Sequence, residues 1–370
     1  MSRKRIKHIC SSGVRNPLKH GKLGSYGVSM ETPKDQIVSE ITQSTRSKLH
    51  LLAYAACQFK PTFKEHLDPV LDQYSKESGI KLNCYIPMGC GHYEDEYDGV
   101  WAAISIDDFP DIVASMGFGD FFRKEFVDRF VKRRYFRTAW TGKINEQFEK
   151  AGFRDPDGWY TIYSVFPYVM LVDKRKLGNR PVPRCWSDLL HPRFQDSVII
   201  NGSEGLVADA PLLYFFREHG ETGLIQLAAS IRESWHPAQM ARAAASSNSK
   251  GTAVYIIPWF WAQARSPSTD VQLVWPEDGA LTSPIYLLIK ESARAVLKPI
   301  IECITGAEMG AKSAQACFPS LHPDVDNKLP ENASFKWLGW EYIKSNDLEQ
   351  LKAYTTEVFS DAWGKNKGKV

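Results

Sequence analysis

Residues 87–99, Pro-Met-Gly-Cys-Gly-His-Tyr-Glu-Asp-Glu-Tyr-Asp-Gly, concentrate side chains that can do chemistry. Cys90 and His92 are soft or borderline donors, and Glu94, Asp95, Glu96 and Asp98 are hard ones, so the stretch can offer ligands to a metal ion. Neighbours in an extended loop rarely converge on one ion. The expectation is therefore a solvated acidic loop with no metal bound. A second candidate, Asn201-Gly202-Ser203-Glu204-Gly205, closes an apolar run and precedes a helical pattern. Its small residues suit a strand-to-helix step whose backbone N–H groups face a ligand. The spacing of a hydrolase nucleophile elbow is missing, and no base is identifiable for Ser203.

Other catalytic signatures are absent: there is no phosphate loop, no dinucleotide-binding glycine pattern and no His-Glu-x-x-His, so no cofactor is expected. Cysteines 10, 57, 84, 90, 185, 303 and 317 have no zinc-finger spacing, and free thiols are the simplest account. His191, His219, His236 and His322 read as surface or capping residues rather than general bases. Aromatics are frequent, and Tyr255 and Trp259 flank the point where an apolar strand ends at Pro258, a place from which large rings line ligand clefts.

These residues need elements to carry them. A chain of 370 residues exceeds one comfortable core, so two lobes are expected. With 43% hydrophobic and 24% charged residues and a net charge of +3, the composition is that of a globular domain. No apolar run reaches 18 residues, which argues against a spanning helix. Arg3, Lys4, Arg5, Lys7, Arg15, Lys19 and Lys22 make the start strongly basic, but without interleaved aromatics. Residues 1–47 are expected to be a flexible extension that binds no nucleic acid. No secretory signal follows it, and Leu49–Cys57 reads as a buried first strand rather than a lipoprotein signal ending at Cys57.

From there strands and helices alternate. Phe63, Leu67, Val70, Leu71 and Tyr74 form one stripe of a helix that Pro69 should kink or delay. Strands are expected at 81–91, within 107–122, at 160–173 and at 197–202, and then at 252–264 and 271–290. Helices are expected after residue 205, at 225–236 and 238–251, and from 292 onward. Three strands end in small residues, Ala55-Ala56-Cys57, Ser115-Met116-Gly117 and Gly202-Ser203-Glu204, which suits a cleft between lobes better than one nucleotide loop.

Four pieces in this order resemble the type 2 periplasmic solute-binding proteins of ABC importers, the branch that includes ferric-iron, polyamine, thiamine and sulfate binders. They are the opening strand, turn and helix (50–79); Pro183, Trp186, Asp188, Leu189, Leu190, Pro192 and Phe194 followed by Ser-Val-Ile-Ile-Asn-Gly; Gly251–Ala264; and Val271–Lys290 with its turn at Pro276, Asp278 and Gly279. The resemblance implies two mixed sheets flanked by helices, with a ligand cleft at a two-segment hinge. Lobe 1 would comprise 48–162 and 286–370, lobe 2 would comprise 169–275, and the crossings would fall at 163–168 and 276–285. It also implies a monomer that does no chemistry, closes on a small ligand and delivers it to an ABC permease. Ala55, Ala56, Cys57, Ser115, Met116, Gly117, Gly202, Ser203, Glu204, Tyr255 and Trp259 would contact the ligand. An anion, a carboxylate or a metal complex fits helix N-termini. Ferric-iron members use adjacent tyrosines as phenolate ligands, and this chain has no Tyr-Tyr pair. The family's address is the periplasm or cell envelope, although no signal peptide is legible. The alternatives are a cytoplasmic ligand sensor and a thiol enzyme using Cys57 or Cys90.

Overall fold

A computed structural model describes residues 48–88, 95–203, 206–244, 246 and 250–367. The basic extension therefore lies outside the described residues, as do Cys90, His92, Glu94 and Glu204. The elements are β1 (Leu51–Ala53), α1 (Lys60–Ser78), β2 (Cys84–Tyr85), β3 (Ile112–Met116), β4 (Tyr160–Asp173), β5 (Val198–Ser203) and β6 (Leu206–Val207). They continue as α2 (Asp209–Ser230), β7 (Ile231–Trp235), α3 (Pro237–Ala244), β8 (Val254–Pro258), α4 (Trp259–Gln263), β9 (Val271–Val274) and β10 (Ala280–Ile289). Then follow α5 (Lys298–Thr305), α6 (Ala307–Gln315), β11 (Phe335–Lys336), α7 (Trp340–Ser345) and α8 (Leu348–Lys367).

The strands run in the order β2-β1-β3-β10-β4-β8-β5-β6, with β7 beside β5, β9 beside β4 and β11 beside β10. Strands β1, β2 and β3 are mutually parallel, and so are β5, β7 and β8. Between these sets, β4 and β10 pair antiparallel from Leu281↔Tyr168 to Leu288↔Tyr160. Both are long and buried along almost their whole length, which is why each reads as a continuous apolar run rather than an alternation. Strand β4 begins against β10 and ends against β8 and β9. It thereby links the two parallel sets of this mixed α/β sheet.

One apolar core lies on the outer face of β1, β3 and the end of β10, where α1 and α5 cover Leu51, Ala53, Ile112, Ala114 and Leu287 with Phe63, Leu67, Ile300 and Ile304. Each such side chain contributes on the order of 1.5–3 kcal/mol on burial. A larger core passes from Phe109, Phe126 and Phe136 through β4 to Ile199, Leu213 and Ile256. Trp186 is buried, and its Nε1 donates to the Gly279 carbonyl at 2.8 Å, which ties the 183–194 segment to the turn before β10. At that turn Gly279 has φ +97°, and an added Cβ would meet Lys336 N at 2.9 Å.

Several local readings change. Helix α1 starts at Lys60 and runs through Pro69, because Pro61 sits in its first turn and tertiary packing of Phe63 and Leu67 carries the rest. Residues 231–235, expected as helix, form β7, since pairing with β5 outweighs a weak local preference. Gly202 and Ser203 do not start a helix. They pair with Val207 and Leu206 in a β5–β6 hairpin, and α2 begins at Asp209. Helix α2 breaks at Gly220, which adopts φ 62°. Helix α8 lies along α2 and β7: Trp363 Nε1 donates to Ile231 O at 2.8 Å, and Phe216 packs on Tyr354.

Candidate functional site

Strand direction sets which strand ends meet. Strands β1 and β3 run antiparallel to β10, so they point the same way as β4, toward its distal end. Strands β8 and β5 run against β4 and point back. The C-terminal ends of β1 and β3 therefore face those of β5 and β8 across the middle of β4 and β10. In open α/β sheets, ligands sit at such carboxyl ends.

Aromatic rings form a floor where these strand ends meet. The Phe318 ring lies 6.1 Å from Phe59, 5.7 Å from Phe166 and 6.1 Å from Phe260, the last nearly parallel at 18°. Phe59 follows β1, Phe166 sits on the β4 crossing and Phe260 is on α4, so Phe318 joins all three parts. Its segment is pinned to β4: Ser164 Oγ donates to the Phe318 and Pro319 carbonyls at 3.0 Å each, and Val165 N donates to Pro319 O. Phe166 remains half-buried and tilts onto Tyr168 at 5.5 Å.

A polar corner adjoins the floor. Asn201 Nδ2 donates to the Tyr168 hydroxyl at 3.3 Å, and Ala208 N donates to Asn201 O, which draws the start of α2 beside the end of β5. Asp209 occupies the first turn of α2, where the helix dipole favours negative charge. Its side chain is 45% exposed yet ringed by protein, and the loss of solvent pushes its carboxyl up, opposed by Lys352 at 3.7 Å. Burial raises the Tyr168 phenol, and Asp209 raises it further. On the β1 side, burial and then the carboxylates of Asp95 and Asp98 raise the Tyr54 phenol.

The expected contact residues divide. Ala55 and Ala56 are buried against α1, while Cys57, Ser115 and Met116 are half-exposed where β1 and β3 end. Gly117 takes φ +75°, and its N–H donates to Pro284 O at 2.8 Å, so that donor is already used. Gly202 and Ser203 lie in a hairpin rather than at a helix start. The structure places Tyr255 in the sheet interior with no exposed surface, its hydroxyl accepting from Thr252 N at 3.0 Å. Trp259 is 3% exposed and packs edge-on to Trp275, and its Nε1 has no hydrogen-bond partner among the described residues. Sequence alone does not pick out Phe166, Tyr168, Phe318 or Asp209: aromatic richness is the one hint of the three rings, nothing marks Asp209, and their meeting depends on non-local strand pairing.

Among the described residues no cluster of three His, Cys, Asp or Glu side chains could hold a metal. Asp95 and Asp98 instead cap a turn through Tyr97 N and Asp95 N. His191, His236 and His322 each accept a nearby backbone N–H through Nδ1, in keeping with a capping role. Burial pushes the thiols of Cys84, Cys303 and Cys317 up to about 11, the reverse of nucleophile activation. No helix among the described residues is long and apolar enough to cross a membrane.

The family model described as bacterial extracellular solute-binding protein matches residues 107–346, more than half of the chain. Solved structures agree in fold. A ferric binding protein from Bordetella superposes with a TM-score of 0.56 at 14% identity, covering 87% of this chain and 99% of its own. An ABC transporter protein from Clostridium perfringens gives 0.57 at 15% identity, over 86% and 99%. A Trichodesmium protein in complex with iron and citrate gives 0.57 at 11% identity, over 85% and 99%. At these identities the likeness shows the fold alone. No curated protein matches the sequence.

Proposed function

This chain belongs to the bacterial extracellular solute-binding proteins, binders rather than enzymes, and from that premise we propose that it captures a small carboxylate-bearing ligand as a metal complex and presents it to an ABC permease outside the cytoplasmic membrane. The observation that carries the ligand class is the pairing of a flat apolar floor with a single polar corner. Phe166 and Phe260 offer apolar surface backed by the buried Phe318, and Asn201, Tyr168 and Asp209 offer oxygen and amide groups beside it. A bare anion fits poorly at the start of α2, because the carboxylate of Asp209 already sits there. A chelate, in which the metal offsets the acid groups, suits such a corner better. The solved relative with iron and citrate is one example of that ligand class on this fold.

Lobe closure follows from the same arrangement. A ligand touching both sets of strand ends binds the closed form selectively and shifts the population toward it. The test is calorimetry and small-angle X-ray scattering with ferric citrate, citrate alone and ferric ion alone. Ferric citrate should bind, raise the melting temperature and reduce the radius of gyration. No binding and no compaction with any of the three would remove this reading.

A further inference from the structure

A cavity of about 250 Å³ lies at the start of β4, between the segment 122–132, the residues that lead into β4 and the junction of α7 with α8. Its walls are apolar: the Trp159 ring, the stacked rings of Phe122 and Tyr160 with centroids 4.8 Å apart, and the aliphatic side chains of Val127 and Ile343. An apolar cavity of about 150 Å³ already admits a benzene ring. Tyr160 and Phe166 stand six residues apart on β4, about 20 Å at the rise of a strand. The space is therefore distinct from the aromatic cluster around Phe318.

Both signs of charge border this apolar space. Asp128 lies 2.5 Å from Lys124 and 2.6 Å from Lys132, so this side carries two cations and one carboxylate. The two lysine side chains are 60% and 51% exposed, and each ammonium has three donors, which leaves some for a ligand. Asp347 also lines the cavity, within electrostatic reach of Lys124. Its Oδ1 accepts from Glu349 N at 3.2 Å and Gln350 N at 3.4 Å, and its second oxygen has no hydrogen bond among the described residues. The remaining cation, Lys344, is taken up by Asp155 and Asp157 and covers the Trp159 ring. Residues 127–131 form a π turn, in which Lys132 N donates to Val127 O at 2.9 Å. Such wide turns are rare and concentrate at functional sites.

We propose that this cavity is a second small-molecule site, and that its ligand is a zwitterionic α-amino acid with an apolar side chain. The side chain fills the space between Phe122, Trp159 and Val127, the carboxylate joins Lys124 and Lys132, and the ammonium joins Asp347. A wholly apolar guest leaves the charged border unused. A simple anion meets Asp128 and Asp347 as well as the lysines, and a simple cation meets the lysines as well as the acids, so only a guest with both charges matches the border.

The test is titration calorimetry of the full-length protein with L-leucine and L-phenylalanine, and with phenylacetate and phenethylamine, which each lack one of the two charges. At least one of the amino acids should bind at a single site per chain, about tenfold or more tighter than either singly charged compound. Val127→Trp fills the cavity and should abolish that binding. Asp347→Asn keeps a capping side chain at the start of α8 and should weaken it about tenfold, as Lys124→Gln should, whereas Lys150→Gln, an exposed lysine outside the cavity, should not. No binding of either amino acid in the millimolar range would overturn the site. Equal affinity for phenylacetate or phenethylamine would overturn the ligand class. Binding that survives Asp347→Asn and Lys124→Gln unchanged would place the amino acid elsewhere, and these two variants decide even if Val127→Trp folds poorly. Ferric citrate, measured on the same Asp347→Asn protein, should keep its wild-type affinity, so the two sites are read separately and either proposal can fail alone.

Discussion

Phe260 lies nearly parallel to Phe318, ring centroids 6.1 Å apart, although the two residues are far apart in sequence. Phe318 also meets Phe59 and Phe166 and is 1% exposed, whereas Phe260 is half-exposed. Truncating them should therefore separate stability from binding. Phe318→Ala should lower unfolding free energy by about 3–5 kcal/mol. Phe260→Ala should cost about 0.5–1.5 kcal/mol in stability, the worth of one aromatic pair, and weaken ligand affinity more than tenfold. Urea unfolding and calorimetry measure the two quantities; equal stability losses would contradict the placement of Phe318 as the hub.

Gly202 has no room for a side chain. A Cβ there would stand 1.9 Å from Leu206 O and 3.1 Å from Ser234 Cβ. Gly202→Ala must open the β5–β6 hairpin and should destabilise by about 1–3 kcal/mol while displacing the polar corner at Asn201. Gly142→Ala, with nothing within 4 Å of the new Cβ, should stay within about 0.5 kcal/mol of wild type. Denaturant midpoints of the two variants decide the matter.

Lys344 stands between Asp155 and Asp157 and 4.6 Å over the Trp159 ring. The Asp155 side chain is 1% exposed and also accepts from Trp159 N at 2.8 Å and Tyr160 N at 3.0 Å. Lys344→Met leaves that carboxylate buried without its cation and should cost about 3 kcal/mol. Adding Asp155→Asn should recover part of the loss, giving a coupling of about 0.5–3 kcal/mol in a double-mutant cycle. Simple additivity would show that the pair does not act as a unit.

Cys84, Cys303 and Cys317 titrate near 11 in the folded chain against an ordinary 9, with burial the leading cause in each. Between these values the unfolded chain has lost thiol protons that the folded chain keeps. The stabilisation is complete below pH 9 and is lost as pH rises through about 11. Chemical denaturation from pH 8 to 11.5 should show stability falling more steeply in wild type than in the triple Cys→Ala variant. The same thiols should react slowly with a disulfide reagent at pH 8.

Local chemistry made much of this molecule legible from sequence. The apolar runs of β4, β8 and β10 and the stripe Phe63–Leu67–Tyr74 follow from neighbours a few residues apart, which is the range over which periodicity acts, whereas Trp186 is anchored by the sequence-distant Gly279 carbonyl. Which ends of which strands meet was decided by non-local pairing. Strand β7 exists because β5 lies beside it; Gly202 became a hairpin because Val207 can pair back; and Gly117 is spent as a donor because β10 brings Pro284 to it. Phe166 and Phe260 are distant from Phe318 in sequence and meet it only because β4 pairs with both β10 and β8, so tertiary structure alone assembled this aromatic cluster.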